Sequence, residues 1–138
     1  MTTPSGPSPV PPLDERGLPR GYAFRAEYEL TPRQVRDLLA SPKSAVVLVD
    51  CRRPEEHQLT RIAGAVLVPL AEIERRTDDI KDLAEDAGQD AIVAVHCHHG
   101  VRSLKATLAL RAKGINAWSV AGGIDLWSID IDPSVRRY

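Results

Sequence analysis

The chain has 138 residues, 43% hydrophobic and 27% charged but only 4% aromatic, with a formal net charge of −1. This is the make-up of one globular domain whose core rests on Val, Leu, Ile and Ala. No basic excess is available to neutralise a phosphate backbone, so a general nucleic-acid binder is excluded. The longest apolar runs, Ala45 to Val49 and Ala91 to Val95, are too short to cross a bilayer.

Six prolines, Pro4, Pro7, Pro9, Pro11, Pro12 and Pro19, predict a disordered leader over residues 1–20, leaving 21–138 as the folded domain. Met1 to Leu13 has neither a basic start nor an apolar stretch and does not read as a signal peptide. Glu27 to Leu30 is expected to form a short opening strand. Thr31-Pro32-Arg33-Gln34 then starts a helix: Thr31 caps, Pro32 takes the first helical position, and Gln34 reaches back. Val35, Leu38 and Leu39 give this helix an apolar side, and Ser41-Pro42 ends it.

Ala45 to Val49 is continuous and β-branched, the pattern of a strand buried on both faces. Ala65 to Val68 is a second such strand, closed by Pro69, and Ala91 to Val95 a third. Residues 71–84 read as a helix anchored by Ile73, Ile80 and Leu83. After the third strand comes His96-Cys97-His98-His99-Gly100-Val101-Arg102-Ser103. A helix follows, with Ser103 as its cap and an apolar face of Leu104, Leu108 and Arg111, broadened by Ala106, Ala109 and Leu110. Lys113-Gly114 stops it, Asn116 to Val120 is the fourth apolar strand, and Gly122-Gly123 leads into a short helix around Trp127. Buried strands alternating with helices predict an α/β fold with a parallel sheet and right-handed crossovers.

Cys97 falls at the carboxyl end of a buried strand and just before a helix, where open α/β sheets bind ligands. A short loop containing Gly100 turns several backbone N–H groups inward as an anion cradle. The helix dipole and Arg102 add positive charge, so the Cys97 pKa is expected below that of a free thiol. His96, Cys97, His98 and His99 look like metal ligands, but contiguous residues do not easily converge on one ion, and no metal is expected. His98 and His99 are expected at the loop rim, either tuning Cys97 or simply exposed. Two cysteines make no disulfide framework, which fits a reducing, cytoplasmic setting. Cys51 ends another buried strand at the same sheet edge, and reads either as a packed thiol or as one that resolves a Cys97 persulfide.

Four segments carry a specific resemblance. Cys97-His98-His99-Gly100-Val101-Arg102-Ser103 resembles the Cys-x-x-Gly-x-Arg-Ser loop of single-domain rhodanese-like sulfurtransferases. Asp50-Cys51-Arg52-Arg53-Pro54-Glu55-Glu56 resembles the family's Asp-x-Arg-x-Pro-x-Glu stretch. Arg61-Ile62-Ala63-Gly64-Ala65 resembles its His-Ile-Pro-Gly-Ala stretch, with Arg61 and Ala63 as departures. Ala121-Gly122-Gly123-Ile124-Asp125-Leu126-Trp127 resembles its Gly-Gly-x-x-x-Trp ending. The four occur in the family's order, and the resemblance as a whole covers about residues 28 to 131.

The resemblance implies a three-layer sandwich around a parallel sheet of about five strands. It implies Cys97 as the catalytic persulfide carrier and His98, His99, Gly100, Val101, Arg102 and Ser103 as the active-site loop. Asp50, Arg52 and Glu56 become a supporting charge network. The implied reaction is a double displacement in which the Cys97 thiolate takes a sulfane sulfur from thiosulfate or a persulfide donor. A thiol, cyanide or an acceptor protein then removes it, without a metal or organic cofactor. Related cell-cycle and tyrosine phosphatases have one residue more between Cys and Arg, so a Cys-based phosphatase is the lesser alternative. The tail, from Gly122 through Asp132-Pro133-Ser134 to Tyr138, is similar to that of rhodanese domains fused to adenylylating enzymes. That similarity implies a second alternative, a persulfide relay or regulatory binding module for a partner protein.

Overall fold

Residues 6–138 are described by a computed structural model of the chain. In chain order the elements are β1 (Glu29–Leu30), α1 (Pro32–Ala40), β2 (Val46–Asp50), α2 (Pro54–Leu59), β3 (Val66–Leu67), a 3-10 turn (Leu70–Glu72), α3 (Thr77–Ala87), β4 (Ile92–His96), α4 (Val101–Ala112), β5 (Ala117–Val120) and α5 (Gly123–Asp130). The strands form one sheet in the order β1-β5-β4-β2-β3, and every pairing is parallel.

Side chains alternate between sheet faces with period two, and here both faces are covered. Val47, Val49, Val93, Val95 and Ala117 pack on one side with Ile73, Ile80, Ala106 and Leu110. Leu48, Ala94 and Val120 pack on the other with Val35, Ile124 and Trp127. Helices α3 and α4 therefore cover one face and α1 and α5 the other, which is the expected three-layer α/β sandwich. Double coverage is why β2 and β4 read as unbroken apolar runs.

Local chemistry explains the helix starts. Thr31 accepts from the Gln34 N–H at 3.1 Å, and the Gln34 side chain accepts from the Thr31 N–H at 2.8 Å, completing the predicted capping box. The helix expected over 71–84 is instead a 3-10 turn followed by α3. The Leu70 N–H is held by the Cys51 carbonyl at 3.0 Å, tying the turn to the sheet edge before α3 begins. Ile73 and Ile80 are buried as anchors on either side of this break.

Three further expectations are corrected. The opening strand is shorter than Glu27 to Leu30, covering Glu29–Leu30. The buried face of α4 is Ser103, Ala106, Thr107 and Leu110, whereas Leu108 is exposed; small residues face the sheet and let the helix lie close to it. Residues 1–5 of the predicted leader lie outside the described residues, but the chain from Leu13 onward is packed. Leu13 pairs with Pro19, Asp14 accepts from the N–H groups of Arg16 and Leu18, and Leu18 is fully buried against Ala121 and Leu126. Two leucines and a carboxylate-closed turn outweigh the proline content there.

Candidate active site

The register of the sheet brings the two cysteines together. Asp50 is opposite His96, and the Cys51 N–H donates to the His96 carbonyl at 3.0 Å, so Cys51 and Cys97 leave the sheet edge side by side. Both are free thiols, each 1% exposed.

From Cys97 the chain makes a tight loop into α4. Gly100 has φ 113°, a left-handed conformation that suits glycine. It aims its N–H at the Cys97 Sγ, 3.0 Å away. The Ser103 Oγ lies 3.4 Å from Sγ and 2.8 Å from the Ser119 Oγ. The Ser103 Oγ also lies 3.2 Å from the Gly100 carbonyl, to which its one proton goes while the Cys97 thiol donates to Oγ; turned the other way, with Ser119 donating to Ser103, that proton serves a Cys97 thiolate. The loop carbonyls are drawn the other way: Cys97 C=O accepts from the Ile124 N–H at 2.9 Å, and His98 C=O from the Asp125 N–H at 3.2 Å. The first turn of α5 thus holds the acceptors outside the cradle while the donors face in. Gly123 makes this possible, since a Cβ there would collide with both carbonyls.

The electrostatics follow this geometry. The adjacent Cys51 thiol, together with Ser103 and the Gly100 amide, outweighs burial and brings the Cys97 pKa down to about 4. Cys51 moves the opposite way, pushed up by the neighbouring Cys97 anion and by burial.

A charge network braces the loop. Arg102 grips Glu56 with both terminal nitrogens, at 2.6 and 3.0 Å. This pairing, with Tyr138 assisting, keeps Glu56 well below the usual carboxylate range. Arg52 is fully buried and bonds both oxygens of Asp50, at 2.9 and 2.7 Å, and the Thr60 carbonyl at 2.6 Å. Tyr138 joins the two pairs: its hydroxyl donates to Glu56 at 2.6 Å and accepts from Arg52 at 3.0 Å. Its ring stacks on His98 with centroids 3.9 Å apart, and its carbonyl accepts from the His98 Nε2 at 3.0 Å.

Two hollows flank the loop. One of about 360 Å³ is lined by Tyr22, Arg25, Glu29, His99, Gly100 and Val101 among others. The other, of about 350 Å³, lies between Pro9, Pro11, Pro19, His99, Gly122 and Asp125.

The comparisons with known proteins can be set against this geometry. The family model "Rhodanese-like domain" matches residues 31–130. The chain belongs to the rhodanese-like domain family. It is 34% identical over 110 residues to "Probable adenylyltransferase/sulfurtransferase MoeZ" of Mycobacterium tuberculosis, covering 79% of this chain and 26% of that protein. It is 26% identical over 128 residues to "Adenylyltransferase and sulfurtransferase MOCS3-1" of Zea mays, covering 92% of this chain and 27% of that protein. The chain thus spans about a quarter of the length of these relatives. Among solved structures, "Thiosulfate sulfurtransferase from Pseudomonas aeruginosa" superposes with a TM-score of 0.64 at 30% identity, covering 74% of this chain and 19% of that one. "Human Single Domain Sulfurtranferase TSTD1" does so at 0.61 and 28%, covering 74% of this chain and 96% of that one.

Within this rhodanese-like domain, Gly100 and Ser103 approach the Cys97 sulfur, and the other loop residues are placed elsewhere. Arg102 points to Glu56 and not to the sulfur. Ser103 is not the helix cap: Gly100 is, and Ser103 stands inside the first turn, against Sγ. Val101 is 69% exposed, outside the cradle. His98 and His99 stack at the rim with centroids 3.8 Å apart, and His96 is fully buried. His98, His99 and Asp125 have donor atoms within 4.8 Å of one another. Asp125, however, is paired with Arg137 at 2.8 Å, and the His98 Nε2 is bonded to the Tyr138 carbonyl. Ser119, Gly123 and the bracing role of Tyr138 were not predicted.

Proposed function

We propose that this domain is a sulfurtransferase that carries a sulfane sulfur on Cys97. The observation that carries the reading is the Gly100 N–H aimed at the Cys97 Sγ from 3.0 Å, with the loop carbonyls drawn off onto α5. Such a cradle stabilises a thiolate in the resting protein and an anionic persulfide after transfer. The Cys97 sulfur attacks the outer sulfur of thiosulfate, the carbon-free leaving group departs as sulfite, and Cys97 is left as the persulfide. A thiol, cyanide or an acceptor protein then attacks the outer sulfur and restores the thiolate, which predicts ping-pong kinetics. Thiosulfate as donor is supported by the similarity to the Pseudomonas aeruginosa thiosulfate sulfurtransferase. Arg102, committed to Glu56, leaves a transferring phosphoryl group without the arginine clamp it needs, which disfavours the phosphatase alternative.

A protein acceptor is favoured by one feature. Val101 is 69% and Leu108 46% exposed, on the outer side of α4 beside the loop. An apolar strip next to a reactive sulfur suits docking of a partner chain. The similarity to adenylyltransferase and sulfurtransferase proteins points the same way. Among the described residues no helix is long and apolar enough to cross a membrane. A cytoplasmic setting, where both thiols stay reduced, completes the proposal.

The test is a thiosulfate:cyanide assay on wild type and Cys97→Ser, with intact mass measured after thiosulfate alone. A gain of one sulfur atom on wild type, absent from Cys97→Ser, is the expected result. Fast cyanide turnover places the activity with small acceptors, and a stable adduct with slow cyanide turnover places it with a protein acceptor. Absence of both the adduct and any sulfide released by the loaded, donor-free protein overturns the reading.

A further inference from the structure

We propose that Cys51 is a second catalytic thiol of this site, which discharges the Cys97 persulfide as sulfide and leaves a Cys51–Cys97 disulfide. The inference rests on the reading of Cys97 as a persulfide carrier and gives the domain a further, sulfide-releasing activity.

The placement comes from the sheet. Val49 is opposite Val95 and Asp50 opposite His96 in the parallel β2–β4 pair. The Cys51 N–H bond to the His96 carbonyl continues that ladder one residue beyond the strands. Cys51 and Cys97 are therefore across from each other, and by the alternation of side chains they share the face of Val49 and Val95. Both lie in the same core cluster. Adjacent strands are about 4.8 Å apart, within the span of about 4.4–6.8 Å between Cα atoms that a disulfide bridges. Cys51 is also fixed in place, since its carbonyl holds the Leu70 N–H at 3.0 Å. Bringing its sulfur to bond with Sγ needs side-chain rotation and no rearrangement of the fold.

The approach also selects which sulfur is attacked. The amide of Gly100 and the hydroxyl of Ser103 reach Sγ from the loop and α4, so an added outer sulfur belongs on that side. Cys51 reaches the inner sulfur from β2. In the step, the Cys51 sulfur bonds to the Cys97 Sγ while the bond from Sγ to the outer sulfur breaks. The electron pair of that bond and the Cys51 proton leave with the outer sulfur as hydrosulfide. Cys51 is oxidised from thiol to disulfide, the sulfane sulfur is reduced to sulfide, and no external oxidant is required. An external dithiol then reduces the disulfide and ends as its own disulfide, returning both cysteines to the reduced state.

The experiment loads wild type and Cys51→Ala with thiosulfate, removes excess donor and released sulfite, and follows intact mass and free sulfide without added thiol. In wild type the sulfur adduct is expected to give way to a species two hydrogens lighter than the reduced chain. One equivalent of sulfide should appear, and peptide mapping should find Cys51 linked to Cys97. In Cys51→Ala the adduct should persist about tenfold longer, with no such disulfide available. An adduct that forms and decays equally in both proteins overturns the role of Cys51 and leaves Cys97 as carrier. An adduct on neither protein overturns both readings. Should Cys51→Ala fail to fold, wild type alone decides: sulfide without the Cys51–Cys97 link, or sulfur found on Cys51 itself, overturns the step.

Discussion

Arg102 holds Glu56 by two bonds, at 2.6 and 3.0 Å, and in doing so ties α4, which starts at the cysteine loop, to α2. The arginine of the Cys-x-x-Gly-x-Arg-Ser motif is a brace between two helices in this molecule. Replacing it by methionine leaves the largely buried Glu56 carboxylate with fewer partners, at a cost of about 1–3 kcal/mol. Urea unfolding of Arg102→Met should show that loss. Arg102→Lys should recover only part of it, because an ammonium cannot reproduce the two-pronged grip. The persulfide should still form on the folded fraction of either variant; its complete absence there would give Arg102 a direct role.

The pH dependence of Cys97 supplies a second prediction. Its pKa, lowered from 9.0 to about 4, means that alkylation by iodoacetamide should be half-maximal near pH 4. Ser103→Ala removes one donor and should move that midpoint upward, by about one unit. The sign for stability follows from linkage. A folded-state pKa below the unfolded one adds stability that is complete above the unfolded value, near pH 9, and is lost as pH falls toward 4. The stability difference between wild type and Cys97→Ala should therefore shrink steadily from pH 9 to pH 4. A difference that is flat over that range contradicts a stabilised thiolate.

The parts of this fold that were legible in the sequence are those with local causes. Val46 to Val49 and Ile92 to Val95 are unbroken apolar runs because helices cover both faces of the sheet. Thr31 and Gln34 announce a capping box by spacing alone. The cysteine loop stands out because a glycine, Gly100, lies between the end of a strand at His96 and the start of a helix at Val101. What stayed hidden depends on distant contacts. Tyr138 meets Arg52 and Glu56 across sequence separations of 86 and 82 residues, and nothing near it in the chain signals that. On α4 hydrophobicity favours Leu104 and Leu108 beside Ala106 and Leu110, whereas close packing on the sheet buries the polar Ser103 and Thr107 with Ala106 and Leu110 and leaves Leu108 exposed. Leu18 stands in a proline-rich stretch, and nothing local signals its burial, because its partners, Ala121 and Leu126, lie more than a hundred residues away.

Tyr138 provides a third prediction because its two functions separate by substitution. Tyr138→Phe keeps the ring that stacks on His98 but removes the hydroxyl shared by Glu56 and Arg52. The cost should be about 1 kcal/mol, as for one buried hydrogen-bonding group left short of partners. Tyr138→Ala also removes the ring stacked on His98, leaving His98 only its main-chain bond to residue 138. It should destabilise further and slow the second half-reaction, in which an acceptor must approach the loop. Comparing persulfide formation with persulfide discharge in the two variants separates these effects. Equal rates in Tyr138→Phe and Tyr138→Ala would show that the ring contributes nothing to the loop.

Gly123 bears the most severe constraint at the site. Its φ of 62° is left-handed, and an added Cβ would collide with the carbonyls of Cys97 and His98. Those two carbonyls are the ones that α5 draws away from the sulfur through Ile124 and Asp125. Gly123→Ala must therefore either push the loop off α5 or tilt α5 off the sheet, and both turn loop carbonyls back toward the anion. Positive-φ strain alone costs about 1–2 kcal/mol, and the collision adds to it. The variant should melt earlier, and on its folded fraction the Cys97 alkylation midpoint should rise toward the free-thiol value. Such a rise, which a loss of stability alone does not produce, is the mark of a cradle whose donors no longer face the sulfur. A folded Gly123→Ala protein with an unmoved midpoint would show that α5 does not orient the loop.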